Sequence, residues 1–80
     1  MGVQKLERIF REIFEDDAIV LVPELVAKDV KNWDSVNHIN LMIAIEEEYG
    51  VILTPIEVQK ILRVGDLVKL LQAKGCDVSW

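Results

Sequence analysis

The residues with the most chemical promise in this chain stand together in Trp33-Asp34-Ser35-Val36-Asn37-His38, where a carboxylate and a hydroxyl precede an apolar run. Asp and Ser are ordinary helix N-caps. A helix start also leaves N–H groups unpaired and carries the positive end of the helix dipole, so a phosphate ester on Ser35 would gain about 0.3–1 kcal/mol there. His38 lies about one turn from Ser35 on such a helix, within reach of a hydrogen bond, with a solvated polar residue as its simpler reading.

Other kinds of chemistry find no comparable address. The chain has one histidine and one cysteine, His38 and Cys76, about forty positions apart, and no Ser-His-Asp set with an evident orienting logic. A lone cysteine excludes an internal disulfide and any multi-cysteine metal site. Phosphate loops and paired catalytic carboxylates in a recognisable arrangement are also missing. The expectation is therefore no catalytic residues, no metal, and a protein that is not an enzyme.

The elements that must position Ser35 follow from periodicity. Val3, Leu6, Phe10, Ile13 and Phe14 recur at spacings of three and four with charged residues between them, and Ile9 widens the stripe, which predicts an amphipathic helix over about 3–15. From Ala18 to Asp34 no clear period holds. Ile19-Val20-Leu21-Val22 alternates like a strand, but no partner strand exists, so this segment is read as a long loop pinned to the core, with a short turn near Pro23 to Val26. A second helix is expected over 35–49, stopped by Gly50. Thr54-Pro55-Ile56-Glu57 announces a short third helix over about 55–62, with Thr54 as cap, Pro55 at the first position and Glu57 closing a capping box. After a break at Arg63 to Gly65, a fourth helix over about 66–74 points Leu67, Leu70 and Leu71 inward and ends at Gly75. The fold class is all-α: one domain, a four-helix bundle with a short third helix and a long first loop.

Composition narrows the setting. Eighty residues, 51% hydrophobic and 29% charged, give one globular core and no room for a separate catalytic domain. Fourteen acidic against nine basic residues make the formal charge −5, which argues against nucleic acid and for partners with basic docking surfaces. The longest purely apolar runs, Ala18 to Val22 and Leu41 to Ile45, are five residues each, too short to enter a bilayer as a span. Charges mixed through Met1 to Asp17 do not look like a signal peptide. A monomeric cytoplasmic protein is expected.

Asp34-Ser35 followed by an apolar residue, a helix ending Ala44-Ile45-Glu46-Glu47-Glu48-Tyr49-Gly50-Val51, and the Val64-Gly65-Asp66-Leu67 segment resemble the acyl carrier protein family. The resemblance runs without a gap from about Trp33 to Leu71, with a looser match over the first helix. It implies a four-helix carrier whose Ser35, within the Asp34-Ser35 motif, holds 4'-phosphopantetheine taken from coenzyme A by a phosphopantetheinyl transferase. The arm of such carriers bears acyl or aminoacyl groups as thioesters for a loading ligase or transferase and for acyl-processing enzymes. By family position, Leu41, Ala44, Ile45 and Tyr49 face inward, while Val36, Met42 or Ile43, Glu46 and Glu47 lie near or on the partner side. The positions where many fatty-acid carriers place acids are here Asn37, His38 and Asn40. That departure points away from bulk fatty-acid synthesis and toward a specialised carrier in lipid, polyketide, peptide or surface-polysaccharide chemistry. Partner contacts are thus expected at Val36, Asn37, Asn40, Ile43, Glu46 and Glu47, although the acids are also ordinary solvated residues. Leu25, Ile45, Ile61, Val64 and Leu67 would wall any cargo that entered the core, or simply pack. The competing reading is an unmodified helical docking module.

Overall fold

A computed structural model describes residues 2–80. Four helices make up the described chain: α1 (Gln4–Phe14), α2 (Ser35–Tyr49), α3 (Pro55–Gln59) and α4 (Val64–Ala73), with one 3-10 turn at Ala27–Asp29 in the first connection. The core is a continuous apolar cluster. Leu6, Phe10 and Phe14 of α1, Leu41 and Ile45 of α2, and Val64, Leu67, Val68 and Leu71 of α4 are fully buried in it. The spacing of three and four along α1 puts its apolar side chains on one face, and that face packs on α2.

The long loop does alternate, with Ile19 and Leu21 buried and Val20 and Val22 exposed. No strand forms, because helix side chains supply what a neighbouring strand would. Glu7 Oε2 accepts the Leu21 N–H at 3.0 Å, and Arg11 Nε donates to the Ile19 carbonyl at 2.9 Å. The two side chains are themselves paired, Arg11 Nη2 to Glu7 Oε1 at 3.0 Å, so one half-buried turn of α1 holds two loop positions.

Two helix boundaries depart from expectation for one reason. The third helix stops at Gln59, short of residue 62, and the fourth starts at Val64, ahead of residue 66. At the end of α3 the bonding tightens to i−3, Lys60 N–H to the Glu57 carbonyl and Ile61 N–H to that of Val58. Arg63 is then extended and bridges Val26 of the loop. This places two loop carbonyls over the next helix start: Val64 N–H donates to Leu25 O at 2.9 Å and Gly65 N–H to Pro23 O at 3.0 Å. A helix start needs partners for its first amides, and the loop provides them two residues earlier than expected. Asp66 Oδ2 accepts the Leu62 and Arg63 amides at 3.2 and 3.1 Å and completes the start. A Cβ on Gly65 would lie 3.0 Å from Pro23 O, so any other residue would push the loop back by a few tenths of an ångström.

The tail is part of the fold. Gly75 turns the chain with φ +85°, Val78 is buried, Gln72 Nε2 donates to the Val78 carbonyl at 2.9 Å, and Ser79 N–H reaches Gly2 O at 3.3 Å. Trp80 stays half exposed beyond it. Leu25 and Ile61 are half-buried, whereas Ile45, Val64 and Leu67 are sealed in the packed core. Among the described residues no helix is long and apolar enough to cross a membrane.

Candidate functional site

Asp34 is the residue that caps α2. Its backbone is extended, and its Oδ1 accepts the Asn37 N–H at 2.8 Å. Ser35 is therefore the first residue inside the helix, exposed, with its hydroxyl not needed for the cap. Beside it lies an open hollow of about 380 Å³ lined by Ala27, Trp33, Asp34, Ser35 and His38.

One wall of that hollow is rigid. Trp33 packs edge-on against Phe10 and tilted against Phe14, with ring centroids 5.5 and 5.2 Å away, so its indole is anchored to α1. Its Nε1–H donates to His38 Nδ1 at 3.0 Å. The two rings lie close to parallel, 6.1 Å between centroids. Burial pushes the His38 pKa below the ordinary imidazole value. Spacing alone put His38 near Ser35 but did not find this partner; the available signal was an indole immediately before the cap and an imidazole five residues on.

The six residues expected to meet partners divide. Val36, exposed to 68%, and Ile43, to 48%, stand outward, as do Asn40 and Glu47. Of the pair Met42 or Ile43, it is Ile43 that faces out; Met42 is 5% exposed and belongs to the core. Asn37 and Glu46 are half-buried and occupied within the chain. Asn37 Nδ2 donates to the Asn32 carbonyl at 2.8 Å, Asn32 Nδ2 donates in turn to the Phe14 carbonyl at 2.7 Å, and Asn40 Nδ2 reaches Asn37 Oδ1 at 3.2 Å. Glu46 Oε2 accepts the Leu53 N–H at 2.8 Å and so ties the end of α2 to the chain entering α3. Between α2 and α3 runs an apolar groove of about 520 Å³, with Ile39, Ile43, Pro55 and Val58 in its walls and Glu46 at its edge. Among the described residues no group of three or more histidine, cysteine or acidic side chains is arranged to hold a metal ion.

Comparison with known proteins gives this arrangement its context. No protein-family model matches the chain. An acyl carrier protein from Helicobacter pylori (strain ATCC 700392 / 26695) is 32% identical over 71 residues, covering 86% of this chain and 88% of that protein. One from Rickettsia typhi is 32% identical over 69 residues, 86% of this chain and 79% of that protein. The solution NMR structure of a holo acyl carrier protein from Geobacter metallireducens matches with a TM-score of 0.85 and 41% identity, over 91% of this chain and 84% of that one. Relatives of such identity along most of their own length, with the same four-helix architecture, make this chain a member of the acyl carrier protein family.

Proposed function

We propose that the chain carries acyl or aminoacyl groups as thioesters on a 4'-phosphopantetheine arm attached to Ser35. The observation that carries this reading is the exposed Ser35 hydroxyl at the first position of α2, left available because Asp34 does the capping. The residues present fit such a group: the open hollow accepts the root of an arm, and the helix start with its unpaired amides favours the single negative charge of a phosphodiester. When bound, the arm supplies a thiol that holds the cargo. The chain itself contributes position. In the loading reaction, run by a separate phosphopantetheinyl transferase, Ser35 Oγ would bond to the pantetheine-bearing phosphorus of the coenzyme A pyrophosphate, the P–O–P bond would break to release adenosine 3',5'-bisphosphate, and the hydroxyl proton would pass to a base of the transferase. Asp34 keeps the helix start ordered for that approach.

Partner enzymes, an acyl-loading ligase or transferase among them, meet α2 along Val36, Asn40, Ile43 and Glu47, with Asn37 and Glu46 holding that surface in shape. Uncharged Asn37, His38 and Asn40 around the attachment point suit a dedicated partner of a specialised acyl pathway, working in the cytoplasm on a monomeric carrier.

Intact mass after incubation with coenzyme A and a promiscuous transferase tests the attachment. The wild-type chain should gain one phosphopantetheine and Ser35→Ala none. Folded wild-type protein that gains nothing with several transferases would overturn the reading in favour of an unmodified docking module.

A further inference from the structure

The capping by Asp34 that leaves Ser35 exposed makes no use of the bond between Trp33 and His38. Indole Nε1–H is a donor only, so His38 Nδ1 must be the bare nitrogen of the ring, and the neutral imidazole carries its proton on Nε2. The indole is wedged against Phe10 and Phe14, which makes the imidazole a fixed group and not a freely rotating surface side chain. His38 lines the same hollow as Ser35. Residues three apart on a helix are neighbours, with Cβ atoms about 5–6 Å apart. A single proton donor of known tautomer is thus held on the wall of the hollow that Ser35 also lines, and burial favours the neutral form that this tautomer requires.

We propose that His38, oriented by Trp33, is a positioning residue for the root of the arm, its Nε2–H donating to an unesterified phosphate oxygen of the phosphodiester on Ser35. The inference rests on the attachment reading above. It gives the arm a preferred exit, along the Trp33 side of α2 and over Ala27, and it assigns this chain's departure from an acidic first turn a purpose: an acid at position 38 would repel the phosphate that an imidazole N–H binds.

The consequence is measurable because the chain has one histidine. A phosphodiester is negative throughout the range in which imidazole titrates, and an anion close to imidazole favours its charged form. Attachment should therefore raise the His38 pKa, by roughly half a unit to two units for unit charges about 5–6 Å apart at a partly solvated site. The hollow is walled by Trp33 of the loop before α2, by Ala27 of the 3-10 turn, by Asp34 at the cap of α2, and by Ser35 and His38 of α2. Asp34 is the charged residue among them, and it is present in both forms, so it drops out of the comparison.

The experiment is a proton NMR titration of the imidazole in the whole chain before and after loading, with loading verified by intact mass, together with the phosphorus resonance of the loaded protein. The expected result is a higher His38 midpoint after loading, and a phosphorus resonance that moves with that same midpoint in wild type and stays flat in loaded His38→Gln. Loaded protein with an unchanged imidazole midpoint and a flat phosphorus resonance would overturn the inference while leaving the attachment intact. Absence of any mass gain would overturn the attachment reading itself and this inference with it.

Discussion

The two ends of α2 are built from opposite materials. At the Ser35 end, uncharged side chains make the bonds: Trp33 to His38 as one pair, and separately Asn40 to the Asn37 side chain, Asn37 to the Asn32 carbonyl and Asn32 to the last carbonyl of α1. At the Tyr49 end three successive acids each do something different: Glu46 accepts a backbone amide, Glu47 faces solvent, and Glu48 meets Lys5 at 3.7 Å. Fifteen helical residues put about 21 Å between these ends. The position proposed for the arm is therefore held by short, directional bonds, while the acids proposed to steer a partner lie a helix length away. Separating the two lets each be altered without disturbing the other.

Breaking the Ser35 end should cost most. Trp33→Ala removes the half-buried indole that touches Phe10, Phe14 and His38, and should lower the unfolding free energy by about 3 kcal/mol in urea denaturation. A loss below about 1 kcal/mol, within the range of an unremarkable substitution, would show that the aromatic contacts do not anchor the loop and that neither end of α2 is the more rigid.

Adjacent acids at the other end sharpen the contrast within itself. Glu46→Ala leaves the amide of buried Leu53 without its charged acceptor and should cost about 1.5–3 kcal/mol, whereas Glu47→Ala should stay within about 0.5 kcal/mol. Glu47→Ala is the variant to weaken partner association, seen as a slower on-rate that salt masks. Equal stability costs for the two would erase the distinction between a structural and a steering acid.

This contrast also marks how far the amino-acid sequence could be read. Local signals were legible: the α1 stripe, the Thr54 to Glu57 capping box, which closes with Thr54 N–H to Glu57 Oε1 at 3.0 Å and Glu57 N–H to Thr54 Oγ1 at 3.3 Å, and the Asp34-Ser35 threshold. Each depends on residues within one or two turns. What escaped depends on distant chain. The start of α4 is set by carbonyls of Pro23 and Leu25, some forty residues earlier. Met42 is packed into the core and Ile43 stays half exposed, although both border the groove between α2 and α3, a packing choice that period alone leaves open. Glu46 was legible as an acid on the partner side, but its commitment to Leu53 requires knowing how the chain turns after Gly50. The burial of Val78 is illegible for the same reason, because nothing near it in the chain says that the tail folds back.

A smaller change, of opposite sign, belongs to the acidic end. The Tyr49 hydroxyl is covered and meets no hydrogen-bond partner among the described residues, and Lys5 Nζ lies 4.8 Å from the ring centre. Burial first, then the negative charges that Cys76, Glu48 and Asp77 can bear, hold its pKa above the ordinary tyrosine value, so the phenol stays neutral. Tyr49→Phe keeps the ring and the lysine contact and deletes the unmatched oxygen. It should raise stability by about 1 kcal/mol in the same urea assay, and a loss of that size would mean that the hydroxyl is bonded in solution.

The smallest effect is the pH response of His38, and its sign follows from burial. Its folded pKa lies below the ordinary imidazole value, which the unfolded chain retains. Above that ordinary value both states are neutral and the contribution is complete. As pH falls through it, the unfolded chain takes up a proton that the folded chain resists, so stability declines until the folded pKa is passed. Protonation would also turn Nδ1 into a donor facing the Trp33 N–H, which breaks the bond between the rings. Glu57 does not confuse the measurement. Held low by the Thr54 amide and then by Lys74, its contribution is present above the ordinary carboxylate range and disappears only as pH falls through that range. Between about pH 7.5 and about pH 5.5, wild-type protein without the arm should therefore lose more thermal stability than His38→Gln. The loaded protein should lose less than the unloaded one, because the phosphodiester favours the same proton that the indole and burial oppose. Identical slopes in the unloaded wild type and variant would mean that the imidazole is neither held by Trp33 nor shielded by the hollow, and the rigidity argued for the Ser35 end would then rest on the asparagines and on the packing of Trp33 against Phe10 and Phe14.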